Sequence, residues 1–368
     1  MDPHSAYWKQ EFKLPKNGFR LKGHSRSTEM TCFYLADLGI YWDAGVHSYY
    51  ACDLIGLTHG HGDHFQAING ILKSQNIERS KKPIPIYCPA AIVKLVSKHI
   101  ESYFQLNANN PHLKIHKIVE IIGVSAGDRL PLRIKNRNYM MDVFKCEHSV
   151  PTVGFGISEV REKLNEDLKH LPQSEIVALK KRGESITHTQ EVPLICYLGD
   201  TTHDVFNQDK IFSYPTIIVE CSFLLDSDTS EASKRKHMHW NHLRKVIDAH
   251  PDNLFILIHF SLRYSDYDVA KFFKDMESRP ENIVVWLDRE LVTGDKYKNC
   301  IMTGKDEGSS SHMPVSKSMP NLSLADCCGH DNHFQLPSVA EVDAVGADLT
   351  NAVGAELSNA VESNFKTD

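Results

Sequence analysis

Short apolar runs rich in β-branched and aromatic residues recur between residues 28 and 300, separated by stretches whose apolar positions fall at helical spacing. The runs predict strands at Thr31–Ala36, Gly39–Asp43, Asp53–Thr58, Ile84–Cys88, Lys117–Ile122, Tyr139–Cys146, Val153–Ile157, Val192–Leu198, Thr216–Glu220 and Leu254–His259. Helices are predicted at His64–Gln75, Pro89–Leu106 with proline in the first turn, Glu159–His170, Gln173–Arg182, His239–Ala249 and Asp266–Met276. Such alternation is that of an α/β protein whose helices cover sheet faces.

From Lys305 the pattern fails. Apolar residues thin out, Ser309–Ser311 form a serine run, and ten carboxylates face three lysines and no arginine. The octet Ala344–Asn351 recurs as Ala352–Asn359, with a helix-weakening glycine in each copy. We therefore divide the chain into a folded region, 1–304, and an acidic tail of low order, 305–368. The net charge of −6 resides in that tail and leaves the folded region near neutral, so global charge neither favours nor excludes a nucleic-acid partner.

A hydrophobic content of 41% over 368 residues permits a sizeable core. No apolar run approaches the roughly 18 residues that cross a bilayer, and Met1–Arg20 is polar and mixed in charge. The expectation is a cytoplasmic protein without a membrane partner. Nine cysteines, an odd number set mostly in strand-like runs, fit reduced thiols. Cys327-Cys328-Gly-His330-Asp-Asn-His333 lacks the two-residue spacer of structural zinc sites.

Chemistry concentrates in Thr58-His59-Gly60-His61-Gly62-Asp63-His64, directly after an apolar strand. His59 and His61 can serve one ion while Asp63 and His64, entering the next helix, turn toward a second; Gly60 and Gly62 would permit unusual backbone angles in the loop.

This motif resembles the signature of the metallo-β-lactamase fold, a four-layer αββα sandwich. The resemblance extends the metal set, all at strand ends, to His148 (in Glu147-His148), Asp200 (in Gly199-Asp200-Thr201) as a carboxylate shared by both ions, and His259 (in His259-Phe-Ser-Leu-Arg-Tyr264). Asp43, closing Tyr41-Trp42-Asp43, resembles the family's support for these ligands. Val219-Glu220-Cys221-Ser222-Phe223 and the segment from His259 are similar to the ribonuclease Z branch. There the glutamate orients a downstream histidine that protonates the leaving group, here His237 or His239.

The resemblance implies two zinc ions per chain, with manganese or iron also compatible. A bridging water would be the nucleophile, held by Asp63 or Asp200, and a tRNA precursor or small phosphodiester the substrate. It also implies a homodimer in which an arm of one subunit serves the other. In place of a glycine- and proline-dense arm, Val150–Tyr197 is charged, so residues 158–190 read as a reduced arm, with Lys180, Lys181 and Arg182 as candidate phosphate contacts. An arm that projects favours RNA, and one lying over the site favours a small molecule. Gly23–Thr28 reads as a turn, with His24 and Ser25 within it. Competing readings are a hydrolase of a small ester, thioester or lactone on the same site, and a non-catalytic metal-binding interaction protein.

Overall fold

The computed structural model describes residues 7–8, 11–75, 82–287 and 292–293; the acidic tail, its repeat and Cys327–His333 lie outside them. One sheet runs in chain order through β1 (Glu11–Lys13), β2 (Arg20–Arg26), β3 (Met30–Leu35), β4 (Ile40–Trp42), β5 (Leu54–Gly56), β6 (Ile84–Pro89) and β7 (Val119–Val124). The second contains β8 (Arg129–Ile134), β9 (Arg137–Cys146), β10 (Thr152–Leu164), β11 (Thr187–Tyr197), β12 (Thr216–Glu220), β13 (Leu254–Ile258), β14 (Ile283–Val285) and β15 (Val292–Thr293). In each sheet an antiparallel meander passes into parallel strands, at β4–β5 and at β11–β12. The helices are α1 (Gly62–Phe65), α2 (Ile68–Ser74), α3 (Val93–Ala108), α4 (Gln173–Lys181), α5 (Thr229–Arg235), α6 (Trp240–Ala249) and α7 (Asp266–Lys274).

Side chains alternate across each strand and sort the apolar residues into three layers of contact. Phe33, Trp42, Phe155, Tyr197 and Trp286 fill the space between the sheets, where Trp42 stacks on Tyr197 at 5.4 Å between ring centroids. Tyr41 and Ile55, on the other face of the first sheet, meet Ile71 of α2 and Ile100 of α3. Phe255 and Leu257 of the second sheet meet Leu243 of α6 and Phe273 of α7. The architecture is the αββα sandwich of the metallo-β-lactamase fold.

Three local expectations are corrected. Glu159–His170 is not helical: β10 continues to Leu164, and only a short 3-10 turn, Glu166–Leu168, follows. Pairing across the hairpin overrides local helix preference, with Thr187 and Thr189 of β11 donating their hydroxyls to Glu162. Residues 23–26 belong to β2, paired with β3, rather than to a turn. The helix expected at His64–Gln75 is broken near Gln66–Ala67, where the Ala67 N–H donates to Ala44 instead of within a helix.

β9 pairs with β10 as far as Val160, beyond which β10 and β11 continue alone as a hairpin carrying α4, a helix with no buried residue. Since β9 runs toward His148 and β11 toward Asp200, the hairpin tip lies at the opposite end of the strands from those residues.

Asp142 of β9 accepts hydrogen bonds from Tyr214, Lys210 and Arg129. Burial alone would raise its pKa, but Lys210, Tyr214 and Arg129 together hold it below the ordinary value of 3.8. A depressed carboxylate stabilises the fold above its unfolded value and loses that contribution as pH falls through the folded value. Asp142→Asn should therefore cost about 1–3 kcal/mol in urea denaturation at pH 7, and its deficit against wild type should shrink as pH falls below 3.8. A deficit independent of pH contradicts this role.

Candidate active site

The strand ends of the two sheets converge on one buried constellation. At the end of β4, Asp43 adopts a left-handed backbone, φ 59°, and is fully buried. Its Oδ1 accepts from the Thr58 backbone N–H and hydroxyl, each at 2.8 Å. Its Oδ2 accepts from His64 Nδ1 at 2.8 Å and the Tyr197 hydroxyl at 2.6 Å. With Nδ1 committed to Asp43, His64 presents Nε2 to the site.

The other imidazoles are oriented in the same way. His59 Nδ1 lies 3.0 Å from the Thr58 hydroxyl, His148 Nδ1 is 3.1 Å from the Lys236 carbonyl, and His259 Nδ1 is 3.0 Å from the Ser222 hydroxyl. Their free nitrogens crowd together. His61 Nδ1 is 3.1 Å from His59 Nε2 and 3.2 Å from His148 Nε2, while His64 Nε2 and His259 Nε2 are 3.2 Å apart.

Asp200 follows Gly199, whose φ is 63°, and sits between the two sets of nitrogens. Its Oδ2 is 3.8 Å from His59 and 3.7 Å from His148, and its Oδ1 is 3.3 Å from His64 and 3.5 Å from His259. Asp63 receives the Thr28 N–H at 2.8 Å and lies 3.3 Å from His259 Nε2.

These residues suit a cation. Donor atoms of His59, His61, His148 and Asp200 lie within 4.8 Å of one another, as do those of Asp63, His64 and His259. Asp200 Oδ1 is buried without a hydrogen-bond partner, and facing imidazole nitrogens whose other nitrogens are committed repel unless something positive lies between them. Burial pushes the His59 pKa well down, with help from His64. Burial also works to lower that of His64, but Asp200 and Asp43 outweigh it and raise it well above the ordinary value, so the site calls for buried positive charge. Asp200 is pushed the other way: His259 and His64 overcome burial and keep it ionised.

Gly60 and Gly62 do not adopt the unusual angles expected. Left-handed residues at the site instead include Thr28, Asp43, Gly199, Lys236 and His259, the last with φ 63°.

Beside the donors, His237 Nδ1 is 2.9 and 3.0 Å from the two oxygens of Glu220. Glu220, fully buried, also accepts from the Thr201 N–H and the Ser222 hydroxyl, and forms no surface pair with Arg235 or Lys236. Burial would lower the His237 pKa, but the charge and hydrogen bond of Glu220 push it up to about 9. His239 is elsewhere. It caps α6 by accepting from the Asn241 N–H, and its Nε2 lies 2.9 Å from the Leu225 carbonyl.

An open cavity of about 460 Å³ exposes this constellation, lined by His61, Asp63, His148, Asp200, His237 and His259 together with Ser27, Thr28, Gly62, Ser149 and Arg235. No residue of 158–190, hence none of Lys180, Lys181 and Arg182, lines it; nor do His24 and Ser25, which are buried in β2. Tyr197, Ser222 and Thr28 orient Asp43, His259 and Asp63, roles the sequence did not assign to them, since each looks like an ordinary core or loop residue until its partner is known.

No family model matches the chain. It is similar to a ribonuclease Z from Thermococcus gammatolerans, 30% identical over 276 residues that span 68% of this chain and 82% of the relative. It is also similar to tRNase Z TRZ1 of Arabidopsis thaliana, 27% identical over 255 residues, 67% of this chain and 87% of that one. Among solved structures, human tRNase Z, short form, aligns with a TM-score of 0.43 and 18% identity, covering 70% of this chain and 92% of that one.

The Asp43 contacts generate a test away from the cavity. Asp43→Asn retains a residue tolerant of positive φ but loses the carboxylate that holds the His64 tautomer. Zinc affinity, measured by competition with a chromophoric chelator, should fall about 10–100-fold. Unchanged affinity contradicts the assignment.

Proposed function

The chain belongs to the ribonuclease Z family, which makes it a metal-dependent hydrolase, and from that premise we propose that it is a phosphodiesterase cutting tRNA precursors endonucleolytically. What carries the reading is one juxtaposition: Asp200 is a donor of one group and lies 3.3 and 3.5 Å from His64 and His259 of the other, with the His237–Glu220 pair at their edge. His59, His61, His148 and Asp200 would hold one ion, and Asp63, His64, His259 and Asp200 a second. The imidazole- and carboxylate-rich set suits zinc. Bound there, the ions would supply a water acidified to near neutral pH and positive charge against the phosphoryl oxygens.

The chain's own groups do the rest. Asp63 or Asp200 orients the attacking water through a carboxylate oxygen. Glu220 occupies His237 Nδ1, leaving the proton on Nε2 to be given to the departing oxygen. A pKa raised to about 9 keeps that proton in place at neutral pH. Phosphodiesters need such a donor because they expel an alkoxide. The hairpin of β10 and β11 stands clear of the cavity, leaving it open to a long strand, and exposes Lys180 and Lys181.

The proposal extends to a homodimer, in which the hairpin of one copy is free to reach RNA held by the other. Sedimentation at micromolar concentration should give twice the chain mass; a monomer rejects this part. A cytoplasmic location is proposed on the six free thiols among the described residues. No helix among the described residues is long and apolar enough to cross a membrane.

His237→Ala should lower kcat on a tRNA with a 3′ trailer by about 10²–10⁴-fold while retaining bound metal. His239→Ala should cost mainly stability, about 1 kcal/mol, through the lost helix cap. In Glu220→Gln the basic limb of kcat should move to lower pH, because the charge that raises the His237 pKa is gone. Equal, small effects of the two histidine substitutions, or an unmoved basic limb, reject the proton-donor role.

A further inference from the structure

Three consecutive residues wrap the edge of the cavity, and two of them are already engaged. The Lys236 carbonyl lies 3.1 Å from His148 Nδ1, and His237 is held by Glu220. α5 ends at Arg235, and Lys236 then takes a left-handed conformation, φ 56°, that turns the chain so that His237 enters the site while Arg235 stays at the rim. The Arg235 side chain is 57% exposed. Its Nε donates to Glu231, and its terminal amino groups have no partner among the described residues.

Arg235 is also the one fixed positive charge among the described residues that line the cavity. The same lining also includes Ser27, Thr28 and Ser149, each with a hydroxyl. An arginine whose Nε edge is pinned by a carboxylate is pre-oriented and has lost part of its rotamer freedom, so its remaining edge can engage a phosphate in a two-pronged contact. Two residues from His237, Arg235 lines the same cavity as the group proposed to protonate the leaving oxygen.

We propose that Arg235 grips the phosphate adjoining the scissile one, on the leaving-group side, and so selects polynucleotide chains over small phosphodiesters. This rests on the phosphodiesterase reading above. The scissile phosphate belongs to the buried donors, and the neighbouring phosphate, which only a polynucleotide has, belongs to Arg235. Arg235 is a specificity residue and takes no part in bond breaking.

The experiment compares wild type, Arg235→Ala and Arg235→Lys, all zinc-loaded, on an RNA with a 3′ trailer and on bis(p-nitrophenyl) phosphate. Binding of the same RNA to metal-free protein is followed against salt. For Arg235→Ala, kcat/KM on the RNA should fall about ten-fold, mainly through KM, with a several times smaller loss on the small ester, which has no neighbouring phosphate. The slope of log affinity against log salt should drop by about 0.7, and Arg235→Lys should recover the slope but only part of the KM. Equal losses on both substrates, or an unchanged RNA KM and salt slope, overturn the proposal while leaving the phosphodiesterase reading intact. A zinc-loaded wild type that cleaves neither substrate overturns that reading and this proposal with it.

Discussion

Asp43 receives four hydrogen bonds, from two groups of Thr58, from His64 and from Tyr197, and it does so fully buried between the two sheets. Each donor belongs to a different part of the site's scaffold. Thr58 fixes the start of the histidine loop, His64 lies within α1, and Tyr197 ends β11 just before Asp200. A buried carboxylate is costly unless its lone pairs are filled, so the demands of Asp43 fix the relative placement of these elements. Tyr197 also stacks on Trp42, the neighbour of Asp43, which couples the core between the sheets to the same carboxylate. Histidine donors from one sheet are thereby registered against Asp200 from the other.

The remaining geometry follows from strand ends. β5, β9, β11 and β13 all finish at one edge of the sandwich, where His59, His148, Asp200 and His259 emerge. Strands are rigid over their length and free at their ends, so a sandwich can hold side chains from distant parts of the chain within hydrogen-bonding distance. Left-handed backbone at Asp43 and His259 turns these side chains into the site just beyond their strands, and at Gly199 it turns the chain ahead of Asp200. The same economy appears at Ser222, one hydroxyl lying between Glu220 and His259 and joining the Glu220–His237 pair to the second donor group.

Legibility in the sequence tracked locality. The cluster from His59 to His64 could be picked out directly because its donors share a single loop, whereas His148, Asp200 and His259 could be singled out only through the resemblance to the metallo-β-lactamase fold. His237 and His239 could not be told apart along the chain, two positions from each other; burial against Glu220 in one case and a helix cap in the other distinguish them. The span Glu159–Leu164 reads as helix by its charges and becomes strand because β11 offers a ladder that no local signal announces. Gly60 and Gly62 invited a backbone argument that their ordinary dihedral angles do not need. Tyr197 and Ser222 matter through partners more than thirty residues away, which a pattern of apolar and polar positions does not encode.

The proposed function requires metal at both donor groups, His59, His61, His148 and Asp200 on one side and Asp63, His64 and His259 on the other. The most direct measurement is zinc content by elemental mass spectrometry, on full-length protein that has been supplemented with zinc and then dialysed, for wild type and Asp200→Ala. Close to two ions per wild-type chain and a marked loss in Asp200→Ala are expected. A wild type that retains no zinc, or an Asp200→Ala variant that holds it as fully and as tightly, would contradict the proposed metal sites.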